Sequence, residues 1–414
     1  MLLRARIVLP ISQPPIVDGA VCVEHGCVAE VGKWSDLRGD AEDLGDVILM
    51  PGLINAHCHL DYTSLAGRIP APKTFSEWIS GIMRHKKEMG DIAWHESWLK
   101  GAKQCLKHGT TTVGNIETRP DLLARLWSET PLRLLSFLEL IVVRPESNSE
   151  SVVYEAVNWL QSNEPPRGTV GLSPHALYTV KPDVLLQCVE ASTDHGWRMA
   201  MHLAESADES EMFLEGNGPL YKWLANVGRD MSDCGNYSPV EYASGQGLLN
   251  EKLLVVHGNY LDDSDIRLLA ESGASVAHCP RSHDYFGHVP FRFEELRVAG
   301  VNVCLGTDSL ATVGEVDAEL NMFSEMRMFR DKYLGVTPEV ITSMATVNGA
   351  KSLGWTKKVG EISTGACADL LAFEYSGPVD SVYEGVIEHR GPVVVMVDGQ
   401  WEIHPTSLAE HHGA

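Results

Sequence analysis

The sequence contains no C-x-x-C pair, and none of its apolar runs approaches the roughly 18 residues that a membrane-spanning helix needs. Its nine cysteines are odd in number, and several stand inside apolar segments. This pattern indicates free thiols in a reducing compartment and not a disulfide framework. The first residues, MLLRARIVLPISQPP, lack the apolar core and the small-residue cleavage site of a secretory signal. We therefore expect a cytoplasmic protein.

Basic residues are also scarce. The 414 residues include 33 Lys and Arg against 56 Asp and Glu, which gives a net charge of −23. The field of such a protein repels phosphate, so the composition argues against nucleic acid and against an anionic membrane surface as partners. A small-molecule substrate and a homodimer both remain open.

Short apolar runs alternate with helical patterns through the middle of the chain. Eight of these runs are predicted to be strands: LMPGLINAH, GTTTVGNI, LRLLSFLELIV, GTVGLSP, RMAMHLA, LLVVHGN, SVAHCP and VNVCLGTD. Strands that alternate with helices build parallel sheets, and the length suits a barrel of roughly 250 residues plus an accessory domain. The pattern therefore predicts an α/β fold, a (β/α)8 or TIM barrel over residues 51–358.

Both ends of the chain are rich in short strands that are broken by Gly, Pro and Asp. Residues 1–50 and 359–414 share this pattern, so we expect them to form the two halves of one small β-sandwich domain built from both termini. The last residues, AEHHGA, are predicted to be a frayed tail.

Side chains that bind metals stand at the ends of four predicted strands. His57 and His59 end the first strand, His202 the fifth, His257 the sixth and Asp308 the eighth. Because the active site of a (β/α)8 barrel lies at the carboxyl ends of its strands, these residues are expected to meet. The two-residue alternation of a strand also turns His57 and His59 to the same side. Imidazoles with one carboxylate suit a divalent metal that activates water.

Each of these residues has a simpler explanation when it is taken alone. A chain with 17 His can contain an H-x-H pair by chance. His257 could cap a turn after its strand, and Asp308 could cap the next helix. The coincidence of several such residues at one end of a barrel is what favours a common metal site.

The H-x-x-E spacing of His202 and Glu205 is not distinctive by itself. It occurs again at His85 and Glu88 in the Lys-rich segment RHKKEMG, where a solvated helical pair is the better interpretation. Only the copy at His202 and Glu205 follows a predicted strand. Its position, and not its spacing, makes Glu205 a candidate acid or base at the mouth of the barrel.

Six segments resemble successive motifs of the amidohydrolase superfamily, in its nucleobase and nucleoside deaminase branch. They are PGLINAHCHLD, GLSPHALYT, MHLAES, VVHGNYL, AHCPRS and GTDSLAT, and the resemblance covers essentially the whole chain. It implies one divalent metal ion held by His57, His59, His202 and Asp308. Imidazole and carboxylate ligands suit zinc, with Fe(II) and Mn as alternatives.

The resemblance also implies catalytic roles. Glu205 would be the proton shuttle, and His257 would orient the attacking water. Asp308 would bind the metal and accept the proton of that water, and His175 in SPHALYT would face the substrate. These roles imply a hydrolysis that releases ammonia from an aminated ring.

Binuclear members of the superfamily bridge two metals with a carboxylated Lys or a Glu on strand three or four. The fourth predicted strand and its continuation, GTVGLSPHALYTV, contain neither residue. Glu139 on the third strand is the remaining candidate, but it stands within an apolar run, so a bridging role is the less favoured alternative. The resemblance therefore favours the mononuclear branch.

The motif on the seventh strand bears on the substrate. S-adenosylhomocysteine and methylthioadenosine deaminases have H-N-P-x-S-N there, whereas HCPRSHDYFGH in this chain looks more like aminodeoxyfutalosine deaminase. The leading expectation is therefore an adenine nucleoside such as aminodeoxyfutalosine. The alternatives are S-adenosylhomocysteine or methylthioadenosine, guanine, cytosine, a triazine or cyclic amide on the same scaffold, and a metal-binding barrel without catalysis.

Three further residues are predicted to contact the substrate. Trp78 lies in the segment after the first strand, where an aromatic ring could cover the substrate or pack on the barrel. Arg281 could pair with a substrate carboxylate through two hydrogen bonds, or it could tie a loop. Ser282 adjoins it in the same motif.

Overall fold

The structure is a computed structural model, and it describes residues 1–72 and 74–405. The predicted tail, AEHHGA, lies outside the described residues. No helix in the described ranges combines the length and the apolar character that a bilayer crossing requires.

Strands and α-helices are numbered in chain order within the described residues, and 3₁₀ helices are given by their ranges. The strands are β1 (Leu2–Val8), β2 (Ile16–Glu24), β3 (Cys27–Lys33), β4 (Glu42–Asp43), β5 (Val47–Pro51), β6 (Leu53–Cys58), β7 (Thr110–Glu117), β8 (Arg133–Leu140), β9 (Gly168–Pro174), β10 (Met199–Leu203), β11 (Leu253–His257), β12 (Ser275–His278), β13 (Asn302–Leu305), β14 (Leu370–Glu374), β15 (Val394–Val397) and β16 (Gln400–Ile403). The α-helices are α1 (Trp34–Leu37), α2 (Phe75–Glu88), α3 (Asp91–Lys107), α4 (Pro120–Ser128), α5 (Ser149–Ser162), α6 (Pro182–His195), α7 (Ala207–Glu215), α8 (Gly218–Asn226), α9 (Pro239–Gly245), α10 (Asp263–Ser272), α11 (Pro280–Phe286), α12 (Phe293–Val298), α13 (Met322–Lys332), α14 (Pro338–Met344), α15 (Val347–Ser352) and α16 (Val382–Glu388). The 3₁₀ helices cover Leu60–Leu65, Leu310–Thr312 and Val379–Ser381.

Strands β6 to β13 form one parallel sheet in which neighbours follow the chain order. The sheet nearly closes on itself, because a parallel bridge joins Cys58 to Asp308 and the N–H groups of Thr307 and Asp308 each donate to the carbonyl oxygen of His57 at 3.1 Å. These eight strands are the eight that the sequence predicts. The (β/α)8 barrel is therefore confirmed.

The barrel strands are apolar on both faces, as parallel strands that are covered on both sides must be. Ile54, Phe137, Ala200, Val256 and Cys304, from five different strands, pack into one buried cluster. Close packing of this kind leaves little freedom to the strand backbones, so the strand ends hold fixed positions.

Both ends of the chain contribute to a second sheet of eight strands. Its order is β16-β15-β14-β5-β1-β2-β3, with β4 beside β1. Strands β5 and β14 join the two halves, from Val47 opposite Glu374 to Pro51 opposite Leu370. The predicted small β domain from both termini is confirmed, and its strands form one hydrogen-bonded sheet. The boundaries at 50/51 and 358/359 stay predictions.

Two hairpins of this sheet turn through pairs of residues in the left-handed region. His25 and Gly26 have φ of 51° and 78°, and Asp398 and Gly399 have φ of 52° and 76°. Two consecutive residues with positive φ are typical of the type I′ turn, whose twist matches that of the flanking strands. The Asp-Gly pair near the end of the chain is therefore a local reason for the β15–β16 hairpin.

Candidate metal centre and active site

Four metal-competent side chains approach one another at the rim of the barrel. His57 lies in β6, His59 directly follows it, His202 lies in β10 and Asp308 follows β13. His57 Nε2 and His59 Nε2 lie 3.5 and 3.6 Å from Asp308 Oδ1, and His59 Nε2 lies 3.4 Å from His202 Nε2. All four side chains are buried. The structure thus brings together the four residues that are predicted as ligands.

The donor atoms form two overlapping groups that share His57. One contains His57, His59 and His202, and the other contains His57, His257 and Asp308; within each group the donor atoms all lie within 4.8 Å of one another. His257 is therefore part of the same cluster, although the sequence resemblance assigns it a separate role.

Several of these nitrogen atoms have no hydrogen-bond partner among the described residues. They are His57 Nδ1 and Nε2, His59 Nδ1, and His257 Nε2. Buried polar atoms are normally paired, because the loss of water is otherwise uncompensated. Unpaired imidazole nitrogens beside a carboxylate form a donor set that suits a divalent transition metal. The residues present therefore fit the metal that the sequence resemblance implies.

Asp308 has a fixed orientation. Ser282 Oγ donates a hydrogen bond of 2.7 Å to Asp308 Oδ2, and Thr312 Oγ1 lies 3.2 Å from the same atom, so Oδ1 faces the imidazoles. Burial opposes ionisation, but His57 and the other nearby imidazoles hold the pKa of Asp308 below its ordinary value. The carboxylate is therefore an anion among the predicted ligands.

The imidazoles of His59, His202 and His257 are neutral because they are buried. Burial, with the neighbouring imidazoles, lowers the pKa of His202 to about 3, and burial lowers the pKa of His59 and His257 well below the ordinary value. His202 Nδ1 lies 3.0 Å from the carbonyl oxygen of His175. A carbonyl only accepts, so Nδ1 carries the proton and Nε2 presents its lone pair to the cluster. This is the form of imidazole that binds metals.

Glu205 and His257 face each other beside the cluster. Glu205 Oε1 lies 3.4 Å from His257 Nε2, and both side chains are buried. Burial raises the pKa of Glu205 well above its ordinary value, and the charges of Asp308 and Glu209 raise it further. A carboxyl group that stays protonated at neutral pH can donate its proton to a molecule bound against it.

Glu209 and Asn259 support Glu205, and the sequence analysis missed both. Glu209 accepts hydrogen bonds from the N–H groups of Ala204 at 3.2 Å and Glu205 at 2.7 Å, and Asn259 Nδ2 donates to the carbonyl oxygen of Glu205 at 3.0 Å. They hold a turn in which Ala204 has a φ of 52°. The S-x-x-E spacing of Ser206 and Glu209 is the ordinary signal of a helix cap. This spacing does not predict that the Glu209 carboxylate accepts hydrogen bonds from the backbone directly after β10.

A cavity of about 510 Å³ opens onto the cluster. Its volume lies within the range of small-molecule sites, roughly 300–1,000 Å³. The predicted substrate contacts His175 and Trp78 both line it. Trp78 also stacks on Phe75, and its Nε1 donates to the carbonyl oxygen of Ala311 at 3.4 Å. This tryptophan therefore packs on its neighbours and borders the cavity, and its contact with the substrate stays a prediction.

Two of the predicted substrate contacts lie elsewhere. Neither Arg281 nor Ser282 is among the described residues that line this cavity. Arg281 forms an ion pair with the buried Glu325 and donates to the carbonyl oxygen of Glu319 at 2.9 Å. Both residues lie in α11, which turns Arg281 towards α13 and Ser282 towards Asp308. These side chains contact Glu325, Glu319 and Asp308, and their contact with the substrate stays a prediction.

The model of the Amidohydrolase family matches residues 48–401. The chain belongs to the Amidohydrolase family. The match runs from β5 to β16 and therefore includes the whole barrel. This amidohydrolase is accordingly a metal-dependent hydrolase, and its buried cluster of imidazoles and a carboxylate is the candidate metal centre.

Similar sequences include the 5-methylthioadenosine/S-adenosylhomocysteine deaminase of Nitratidesulfovibrio vulgaris. It is 28% identical over 382 residues, which cover 88% of this chain and 80% of that protein. This similarity and the family match confirm the resemblance to the deaminase branch of the superfamily. The amidohydrolase is a hydrolytic deaminase that acts on C–N bonds.

Solved structures share its fold. Aminofutalosine deaminase of Helicobacter pylori, in complex with methylthio-coformycin, has a TM-score of 0.86 at 22% identity and covers 97% of this chain and 100% of that one. An adenosine deaminase of Xanthomonas campestris with bound zinc has a TM-score of 0.83 at 24% identity and covers 99% of this chain and 96% of that one. At these identities the likeness establishes the fold.

Proposed function

We propose that this amidohydrolase deaminates an adenine nucleoside, with aminodeoxyfutalosine as the leading candidate, and releases ammonia. The observation that carries the proposal is Glu205, a buried carboxyl group with a raised pKa that lies beside the metal-competent cluster and lines the cavity. In the deamination of an adenine ring, water attacks the carbon that bears the amine, and a ring nitrogen must gain a proton. A buried, protonated carboxyl group supplies that proton.

The lining of the cavity supports a nucleoside over a free base. Apolar and aromatic side chains form much of its wall, among them Phe75, Trp78, Ile82, Trp223 and Leu224. A free base would contact only part of this wall, whereas a nucleoside with a 5′ substituent extends along it. Lys86 and Arg144 also line the cavity, and they offer positive charge to the carboxylate of aminodeoxyfutalosine. The deaminase names of the Helicobacter and Nitratidesulfovibrio proteins support the same class of substrate.

His57, His59, His202 and Asp308 would hold one divalent metal, with zinc as the first candidate. The orphaned imidazole nitrogens support this ligand set, and the zinc in the Xanthomonas structure supports the choice of metal. When bound, such a metal lowers the pKa of a water from about 15.7 to about 7, which makes hydroxide available at neutral pH.

The remaining steps belong to the side chains of the protein. His257 orients the attacking water, and Asp308 Oδ1 accepts its proton as the oxygen bonds to the ring carbon. Glu205 gives its proton to the ring nitrogen that gains the electron pair. The proton on Asp308 then passes to the exocyclic amine, and the C–N bond breaks with loss of ammonia. The hydroxyl proton of the tetrahedral intermediate returns to Glu205, which leaves the keto base.

An ammonia-release screen tests the proposed function. The panel contains aminodeoxyfutalosine, methylthioadenosine, S-adenosylhomocysteine, adenosine, cytosine and guanine. We expect release from adenine nucleosides, with the highest kcat/KM for aminodeoxyfutalosine. Release from cytosine or guanine alone, or from none of the panel, would contradict the proposal.

A cytoplasmic location and a homodimer stay predictions, and light scattering of the purified protein tests the second.

Metal content provides a separate test. We expect elemental analysis of the active enzyme to find one tightly held metal per chain. Strand β9 carries no Lys or Glu that could bridge two metals, and the carboxylate of Glu139 belongs to neither group of candidate ligands among the described residues. Two tightly held metals that are both needed for activity would instead assign this chain to the binuclear branch.

A further inference from the structure

Glu139 is a buried carboxylate for which the proposed reaction has no use. It is the seventh residue of β8 and lines the cavity, and its side chain is only 6% exposed. Among the described residues, no hydrogen bond reaches its carboxylate, and the one basic atom within 4.0 Å is His175 Nε2, at 4.0 Å. A buried carboxylate without donors is costly, so a partner from outside the chain is expected.

His175 cannot supply the missing donor. Thr179 Oγ1 gives its only proton to the carbonyl oxygen of Ala176 at 3.1 Å, and it lies 2.7 Å from His175 Nδ1. With Thr179 Oγ1 as the acceptor, His175 Nδ1 donates to it. His175 Nε2 lies 4.0 Å from Glu139 Oε1, which is beyond hydrogen-bond distance. Among the described residues, the Glu139 carboxylate therefore accepts no hydrogen bond from His175 and faces the cavity without a donor.

The position of Glu139 indicates which part of a nucleoside it faces. The ring of His175 lies 4.8 Å from that of the predicted ligand His202, measured between centroids, and β9, which ends beside His175, lies between β8 and β10. Glu139 in β8 is therefore one strand further from His202 than His175 is. In an adenine nucleoside, the sugar is attached at the edge of the purine remote from the amine. The sugar offers two adjacent hydroxyl donors, which a carboxylate can accept together.

Other donors fit this position less well. Lys86 and Arg144 line the same cavity, but neither forms an ion pair with Glu139 among the described residues. A second metal would need further ligands, and Glu139 is in neither group of metal-competent donors that the described residues contain. Two neutral hydroxyl groups can donate hydrogen bonds to the carboxylate without a basic side chain and without a second metal.

We propose that Glu139 is a specificity-determining residue that accepts hydrogen bonds from the 2′- and 3′-hydroxyl groups of the substrate ribose. This inference rests on the proposed function, because it requires a nucleoside in the cavity. It makes the enzyme selective for ribonucleosides over dideoxynucleosides and over free bases.

The test combines a substrate change with a residue change in the metal-loaded enzyme. Ammonia release is measured for aminodeoxyfutalosine, adenosine and methylthioadenosine and for the 2′,3′-dideoxy counterpart of each, with wild type and Glu139→Gln. For wild type we expect kcat/KM to fall roughly 10- to 100-fold when the hydroxyl groups are removed. In Glu139→Gln, kcat/KM should fall by a similar factor for the ribonucleosides and change little for the dideoxynucleosides, so that discrimination largely disappears.

Glu146→Gln is the matched control. This exposed residue follows the same strand and does not line the cavity, and its substitution removes the same charge. It should leave both substrates unaffected. Metal content and thermal unfolding of each variant report whether the site and the fold are intact.

The possible failures are distinguishable. If wild type deaminates none of the nucleosides, the proposed function and this inference fall together. If wild type deaminates ribonucleosides and dideoxynucleosides equally well, the inference alone is overturned, and this result does not depend on the folding of any variant. Equal losses for both kinds of substrate in Glu139→Gln would also overturn it, because Glu139 would then act on the site as a whole.

Discussion

Glu205→Gln is expected to reduce kcat by about 10²- to 10⁴-fold while the metal content stays at the wild-type level. The amide has the size and shape of the carboxyl group but cannot transfer a proton to the ring nitrogen. The substitution is local, because Glu209 and Asn259 hold the backbone of this residue and not its side chain. Steady-state ammonia release and elemental analysis of the same preparation measure both quantities.

The other H-x-x-E motif, at His85 and Glu88, supplies a matched control for this variant. Glu88 lies 3.9 Å from His85 with its side chain 68% exposed, and it does not line the cavity. Glu88→Gln should therefore retain wild-type kcat and KM. Near-normal turnover in Glu205→Gln, with metal bound, would count decisively against the role of Glu205 as proton shuttle.

Asp308→Asn is expected to weaken metal binding by more than about 100-fold, because the loss of a group that only supports a ligand already costs about 10- to 100-fold. Asp308 is the one carboxylate of the predicted ligand set and provides its negative charge. An amide keeps the size of the side chain but removes this charge. Zinc affinity is measured by competition with a chromophoric chelator, so the result does not depend on activity.

Two further variants calibrate the result for Asp308. Ser282→Ala removes the 2.7 Å hydrogen bond to Oδ2 and should weaken zinc binding by about 10- to 100-fold. Asp317→Asn changes an exposed carboxylate later in the same connection and should leave the affinity unchanged. If Asp308→Asn held zinc as tightly as wild type, the ligand set proposed here would be wrong.

The outcome for the strand-seven motif illustrates how far sequence patterns can reach. Arg281 and Ser282 are polar residues directly after a barrel strand, and this position correctly indicates that they belong to the site region. Their contacts depend on Glu325 and Asp308, which lie 44 and 26 residues away along the chain. No local pattern encodes contacts across such separations, so the sequence could not show which side chains these two residues would contact.

Glu139 illustrates the opposite case. In the sequence it is a single carboxylate in an apolar run, and the only chemistry suggested for it was a bridge between two metals. The structure places it 4.0 Å from His175 Nε2 at the wall of a cavity. Its importance comes from a lack of donors around it, and the donors around a buried atom are known only once the chain has folded.

Sequence patterns alone predict the order of eight strands, the two β segments at the termini, and the strand-end positions of His57, His59, His202, His257 and Asp308. They do so because alternation and turn residues act over a few neighbours, and because barrel closure brings all strand ends to one rim. The folded chain is needed to show which nitrogens lack partners, which carboxyl groups have a raised pKa and which side chains line the cavity. Burial and hydrogen bonding depend on contacts between distant segments, and these contacts set the protonation states on which the chemistry rests.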